Sequence, residues 1–125
     1  MMRIGLRNLL EKSQQFTVCA ECTNARTALA HLREDQPSIA ILDITLPGGL
    51  DGIELIKCMI SESAALRILV FSVHDEALYA LRSIAAGAKG YLMKGAEPKT
   101  VLQALQTIRE GGVAVSTGIS QRLVQ

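Results

Sequence analysis

The sequence predicts an α/β fold in which helices cover both faces of an open, doubly wound parallel sheet. Two observations predict it. Short apolar runs alternate along the chain with amphipathic stretches of about 10–12 residues, which is the pattern of right-handed βαβ units. Two of these runs, residues 38–43 and 67–73, are nearly continuous in apolar side chains, as is typical of parallel strands that are buried on both faces.

Length and composition are those of one globular domain. The chain has 125 residues, of which 49% are hydrophobic and 20% charged, with a formal net charge of +1. A chain of this size can bury an adequate core without disulfides or metal. The sequence has no run of basic residues of the kind that indicates nucleic-acid binding. Three cysteines without a disulfide-scaffold spacing favour a reducing, cytoplasmic compartment. No apolar stretch reaches the length of a membrane span.

The first half of the chain predicts two helix–strand pairs. Residues 4–12 place leucines on one side of a helix and charged residues elsewhere. Residues 16–22 are rich in β-formers and have no helical period, so we expect a strand there. Asn24 is a good N-cap for the second helix. The run at residues 38–43 predicts a buried strand that ends in an acid.

The second half repeats the pattern and adds a last helix. It predicts, in order, a helix after Asp51, a strand at 67–73, a helix after Asp75, a strand at 90–94 and a helix opened by Pro98. Aspartate caps helix N-termini, and proline favours the first helical turn. Glycines at 87 and 111–112 are placed to end the two later helices.

Polar residues stand where three of the predicted strands end. They are Asp43, Ser72 and Lys94. In open parallel sheets the working residues lie in the crevice at the carboxyl ends of the strands, so these side chains could converge. A carboxylate nucleophile, a hydroxyl and an ammonium group together could handle a phosphoryl group, with a divalent ion to offset the charge.

Three segments carry a specific resemblance. They are Ile41-Leu42-Asp43-Ile44-Thr45-Leu46-Pro47 followed by Asp51-Gly52, then Ile68-Leu69-Val70-Phe71-Ser72, and Gly87-Ala88-Lys89-Gly90-Tyr91-Leu92-Met93-Lys94. In that order they resemble the phosphoacceptor segment, the fourth strand and the fifth strand of response-regulator receiver domains, which are CheY-like, flavodoxin-like folds. The residues chosen within these segments resemble those of the NarL/FixJ subfamily, which carries a LuxR-type output domain. The resemblance extends over residues 3–112.

The resemblance implies a role for each matching residue. Asp43 would accept the phosphoryl group, Ser72 would follow phosphorylation through its hydroxyl, and Lys94 would pair with the phosphate. Tyr91 falls at the aromatic position whose rotamer reports activation. Asp43 and the backbone carbonyl of Thr45 would be ligands of Mg²⁺. The implied partners are a sensor histidine kinase and a second copy of the chain, and no nucleic acid or membrane.

The sequence departs from the resembled pattern in three places. In the family a first strand and an acidic pair precede the first helix, whereas here the chain starts inside that helix and no acid occurs before Glu11. The loop at 47–51 is one residue longer than usual, which loops tolerate. Gly95 stands where a proline is frequent. We expect residues 1–112 to form a receiver without its first strand, and residues 113–125 to be a tail or linker toward an output domain outside this chain.

Other interpretations stay open. The chain could be a receiver-shaped interaction module that takes no phosphate because its metal site is incomplete. A haloacid-dehalogenase-like phosphatase also uses a strand-end aspartate, but Thr45 stands where its second aspartate would be, so we expect no enzyme. Ser72 could be a buried hydroxyl bonded to the backbone, and Lys94 a solvated strand-end lysine. Cys19 and Cys22 point to opposite faces of the predicted strand and indicate packing.

Three expectations follow for the structure and its chemistry. The nitrogen of Lys94 should lie within ion-pair reach of Asp43. In the resembled family the first strand lies between the second and the third, so its absence leaves a gap between residues 16–22 and 38–43. The sheet should have four parallel strands, and this gap should either close by direct pairing or be filled by another chain. With its acidic pair absent, the chain should bind Mg²⁺ weakly and be phosphorylated on Asp43 slowly or not at all.

Overall fold

The computed structural model describes residues 2–44, 52–72 and 77–115. In these residues it has helices α1 Met2–Ser13, α2 Ala25–Asp35, α3 Gly52–Glu62, α4 Ala77–Ala85 and α5 Pro98–Arg109, and strands β1 Ile39–Asp43, β2 Arg67–Ser72 and β3 Gly90–Met93. All five helices and the last three strands of the sequence analysis are therefore confirmed, with bounds that differ by one or two residues.

The strands form a parallel sheet in the order β1-β2-β3, which confirms the α/β class. Side chains of β2 alternate between two cores. Ile68 and Val70 pack on the face covered by α2, α3 and α4, whereas Leu69 and Phe71 pack on the face covered by α1 and α5. The alternation follows from the two-residue repeat of a strand, and it explains why the sequence of β2 is apolar at every position but its ends.

Residues 16–22 are not a strand, so the prediction of four strands is wrong for the described part of the chain. The segment has no regular secondary structure, and no backbone hydrogen bond pairs it with β1. Strand structure is defined by a ladder to a neighbouring strand. This segment has β-forming residues but no adjacent strand, and β1 lies at the edge of the sheet. The expected closing of the gap by direct pairing therefore does not occur.

Helix ends follow the predicted signals where the structure describes them. The Asn24 side chain accepts a hydrogen bond of 2.9 Å from the Thr27 N–H, as predicted for an N-cap. Gly87, with φ of +123°, ends α4 through hydrogen bonds from Gly87 N to Ile84 O and from Ala88 N to Ser83 O. Pro98 begins α5 as predicted, and the residue before it, Glu97, is the N-cap but makes no side-chain cap hydrogen bond. The predicted caps Asp51 and Asp75 lie outside the described residues.

Two further contacts fasten the last helix and the segment that follows it. The Arg67 guanidinium, at the start of β2, donates to the carbonyl oxygens of Ile108 and Arg109 at 3.0 and 2.7 Å. Ala114 forms a parallel bridge with Gly90, so packed structure continues past α5. None of the described helices is long and apolar enough to cross a membrane.

Candidate functional site

At the carboxyl edge of the sheet, the predicted carboxylate and the predicted ammonium group lie side by side. Asp43 is the last residue of β1, and Lys94 directly follows β3. The Lys94 Nζ lies 2.9 Å from the Asp43 Oδ2, so the expected ion-pair reach is present in the structure. The two side chains are only 25% and 26% exposed, and the pair is therefore partly shielded from water, where charge–charge attraction is stronger than at an open surface.

Backbone hydrogen bonds fix the positions of these two residues relative to the central strand. The Lys94 N–H donates to the Ser72 carbonyl oxygen at 2.8 Å, and the Ile44 N–H donates to the Phe71 carbonyl oxygen at 3.2 Å. Both bonds extend the ladder of β2 by one step beyond the strand ends. The site is thus held by sheet structure, and its side chains start from rigid positions.

Ser72 ends the central strand between them. It is fully buried, and every buried side-chain oxygen or nitrogen in the described part of the chain has a hydrogen-bond partner. The register pairs Ser72 with Met93, the residue before Lys94. Ser72 is therefore positioned by the same strand end as the ion pair, and its role as the hydroxyl that follows phosphorylation stays a prediction.

Tyr91 lies on the sheet face opposite α1 and α5. Its side chain is 5% exposed and packs in the core with α3 and α4. Its ring centroid is 6.5 Å from that of Tyr79 on α4, with the planes at 45°, which is the range of a favourable aromatic pair. The sequence analysis did not identify Tyr79 as a neighbour of the site. The sequence of its helix does not indicate which strand residue its ring will contact.

Gly52 is a second feature that the sequence analysis did not single out for the site. It begins α3 behind the end of β1, where an added Cβ would meet Ile44 Cγ2 at 2.8 Å and the Tyr79 hydroxyl at 3.0 Å. The 2.8 Å contact is shorter than real Cβ atoms make, so glycine lets α3 approach the strand end that carries Asp43. The Asp51-Gly52 pair in the sequence was a signal for this close approach.

The described residues do not complete a magnesium site. Receiver domains generally bind Mg²⁺, which prefers an octahedral set of oxygen ligands. The described ranges contain no group of three or more His, Cys, Asp or Glu residues that could hold a metal ion. Asp43, one of the two predicted ligands, is ion-paired with Lys94, and the other, Thr45, lies outside the described residues.

The fold and this edge define the class of protein: an open parallel-sheet domain with a strand-end aspartate held against a lysine. The family described as "Response regulator receiver domain" matches residues 1–106. The chain therefore belongs to the receiver domain family of response regulators, as the resemblance implied. Receiver domains are signalling domains that interact with sensor kinases and often dimerise.

Curated relatives place the chain near the NarL type. It is 32% identical over 125 residues to a nitrate/nitrite response regulator protein homolog of Haemophilus influenzae, covering all of this chain and 60% of that protein. It is 28% identical over 123 residues to the response regulator UvrY of Escherichia coli, covering 98% of this chain and 56% of that protein. The chain thus spans between half and two thirds of the length of these relatives.

Solved structures agree in fold. A LuxR-family two-component response regulator from Aurantimonas superposes with a TM-score of 0.87 at 38% identity, over 96% of this chain and 85% of that one. The signal receiver domain of the putative response regulator NarL from Mycobacterium tuberculosis superposes with a TM-score of 0.80 at 27% identity, over 88% of each chain. The NarL-type receiver fold is therefore shown by sequence and by structure.

Proposed function

We propose that this chain is the receiver of a two-component response regulator and that Asp43 accepts a phosphoryl group from a sensor histidine kinase. The observation that carries the proposal is the 2.9 Å contact between the Asp43 Oδ2 and the Lys94 Nζ. An aspartate at a strand end can act as a nucleophile, and an ammonium group beside it can offset the charge of the incoming phosphoryl oxygens.

The proposed reaction forms an acyl phosphate. One Asp43 carboxylate oxygen attacks phosphorus, the new P–O bond forms, and the P–N bond to the donor's phosphohistidine breaks with its electron pair going to the imidazole. The imidazole then takes up a proton from solvent. Lys94 moves its ion pair from the carboxylate to the phosphoryl oxygens, and the Ser72 hydroxyl donates to one of them.

We expect phosphoryl transfer to Asp43 to be slow, because the site provides little positive charge. Attack by one anion on another needs more compensating charge than a single ammonium provides, and the described residues do not complete a magnesium site. We therefore predict slow or negligible phosphorylation of the 125-residue chain. A receiver-shaped interaction module that is not phosphorylated is the second candidate, and the incomplete magnesium site of the described residues favours it.

Labelling with acetyl phosphate and magnesium tests both candidates. Asp43→Asn should remove all label, because the amide is a poor nucleophile, while the control Asp35→Asn, at the end of α2, should leave it unchanged. Lys94→Met should lower the rate further, whereas Lys57→Met on the exposed side of α3 should not. Label that survives Asp43→Asn would overturn the assignment of the acceptor. Fast stoichiometric labelling of the unmodified chain would overturn the predicted slowness.

The proposal also includes a binding partner, a cellular location and the limits of the domain. A second copy of the chain is a proposed partner, and the three free cysteines fit a reducing cytoplasm. Residues 1–112 form the receiver in this proposal, and residues 113–125 are a tail or linker toward an output domain. The first residues of this tail still pack on the receiver through the bridge between Ala114 and Gly90. The curated relatives are longer than this chain, which supports such a domain. Size measurement by light scattering, with and without phosphorylation, tests the dimer.

A further inference from the structure

The two tyrosines of the chain form one aromatic pair beside the carboxyl edge of the sheet. The sequence has two tyrosines and no tryptophan, and the rings of Tyr79 and Tyr91 pack with their centroids 6.5 Å apart. Tyr91 is a buried residue of the core, whereas Tyr79 is partly buried and packs against that core. The pair therefore has one enclosed ring, on β3, and one ring on α4 that is still in contact with solvent.

The hydroxyl of Tyr79 lies where α3 begins, close to the residue that follows Asp43. An ideal Cβ on Gly52 would be 3.0 Å from this hydroxyl and 2.8 Å from the Ile44 Cγ2. The hydroxyl and the Cγ2 are therefore no further apart than the sum of these two distances. Ile44 is itself held at the strand end, because its N–H donates to the Phe71 carbonyl oxygen at 3.2 Å. The Tyr79 hydroxyl thus shares a small space with the side chain next to Asp43.

The backbone of Tyr79 is fixed within α4. The fully buried Ser83 hydroxyl donates to the Tyr79 carbonyl oxygen at 2.9 Å. A side chain that is held at its backbone and packed at its ring and its hydroxyl passes a displacement from one contact to the other, because protein interiors are close-packed and transmit strain. A shift of Ile44 or of the start of α3 should therefore reach the ring of Tyr91.

This packing provides a second connection between the acceptor strand and β3. The first connection is the ion pair between Asp43 and Lys94, which directly follows β3. We propose that Tyr79 is a positioning residue of the acceptor site, which couples the position of the segment after Asp43 to the position of the Tyr91 ring. The regulatory meaning of this coupling rests on the proposed phosphorylation of Asp43, whereas the coupling itself is a property of the unphosphorylated chain.

Fluorine NMR of the whole chain labelled with fluorotyrosine tests the coupling, because every tyrosine signal comes from this pair. In Tyr79→Phe the remaining signal is that of Tyr91. Gly52→Ala places a methyl group against the Tyr79 hydroxyl and Ile44, so it should shift the Tyr91 signal. In the Tyr79→Phe background the same substitution should shift that signal several-fold less, because the displaced hydroxyl is gone. The control Gly5→Ala, in α1 on the other face of the sheet, has no atom within 4 Å of the new carbon and should shift neither signal.

A second variant keeps the test decisive if Gly52→Ala does not fold. Ile44→Leu removes the Cγ2 and conserves side-chain volume, and its effect on the Tyr91 signal should also depend on the Tyr79 hydroxyl. Equal shifts with and without that hydroxyl would overturn the proposal and leave Tyr79 as a core residue. An unshifted Tyr91 signal in folded Gly52→Ala or Ile44→Leu would overturn it as well.

These outcomes are independent of the labelling with acetyl phosphate. If Asp43 takes no label but the Tyr91 signal responds as expected, the proposed phosphorylation fails and the coupling stands. If Asp43 is labelled but the Tyr91 signal does not depend on the Tyr79 hydroxyl, the acceptor assignment stands and the coupling fails.

Discussion

Strands β1 and β2 have similar sequences and different surroundings. Both are nearly continuous apolar runs, yet five of the six residues of β2 are buried whereas only Leu42 of β1 is. The difference is position in the sheet, since β2 has a strand on each side and β1 has one on a single side. An apolar run predicts a strand that can occupy the centre of a sheet. Whether neighbouring strands bury it on both sides depends on other parts of the chain, which the run itself does not specify.

Residues 16–22 extend the same comparison to a third case. They have β-forming side chains, and two of them, Phe16 and Val18, pack against the core. They make no ladder. Side-chain burial and strand pairing are therefore separable in this chain, and the contrast between the central strand and the outer segment can be measured.

The largest expected effect comes from the chain's two phenylalanines, one in each region. Phe71 lies in β2 and is 2% exposed, so Phe71→Ala should lower the free energy of unfolding by about 3–5 kcal/mol. Phe16 is only partly buried, with the Arg109 guanidinium 5.0 Å above its ring, so Phe16→Ala should cost about 1–2 kcal/mol. Urea unfolding at neutral pH measures both. Equal losses would show that the outer segment is as well packed as the central strand.

A smaller effect is expected from filling space beside the sheet. A Cβ at Gly90, the first residue of β3, would meet Leu69 Cδ1 at 2.7 Å and Ile108 Cδ1 at 2.9 Å. Gly90→Ala should therefore destabilise by about 1–3 kcal/mol through overpacking. The control Gly95→Ala has no atom within 4 Å of the new carbon and should change stability by less than about 0.5 kcal/mol. A neutral Gly90→Ala would mean that α5 can move away from the sheet freely.

The smallest expected effect lies at the surface between α2 and α3. The Arg33 guanidinium hydrogen-bonds the Glu62 carboxylate and lowers its pKa in the folded state. Because the folded pKa lies below the unfolded one, the stabilisation is present above the ordinary carboxylate pKa and is lost as pH falls through the folded pKa. Both groups are exposed, so the effect should be small.

Thermal unfolding across pH measures this contribution. The Tm difference between the unmodified chain and Glu62→Gln should shrink as the solution becomes acidic, while Glu34→Gln, at an exposed position on α2, should show no such trend. A difference that grows toward acid would contradict the sign of the pKa shift.

The sequence predicted most of the fold because its signals are local. Caps such as Asn24, the glycine at 87 and the apolar runs of β1 and β2 act within a few residues of their position. The error at residues 16–22 arose because β-formers were interpreted without knowing whether a partner strand lies beside them. Strand structure needs that partner, and local pattern cannot supply it.

The residues of the candidate site that lie at strand ends could be predicted from the sequence, but those that depend on packing between elements could not. Asp43 and Lys94 could be placed together because parallel strands bring their carboxyl ends to one edge, and the structure has them in contact. The aromatic pair of Tyr79 and Tyr91 could not be predicted, because it depends on how α4 packs against the sheet. Thr45 lies outside the described residues, so its role as a metal ligand stays a prediction.

The Arg67 side chain joins the first residue of the central strand to the last carbonyls of α5. Helix ends normally open first, because their final carbonyls lack partners and their amides exchange by fraying. Here the guanidinium also places positive charge at the negative end of the helix dipole. The last turn of α5 can open only by breaking these two hydrogen bonds to the first residue of β2. We therefore expect its amides to exchange more slowly than those of a helix end that frays without such a contact.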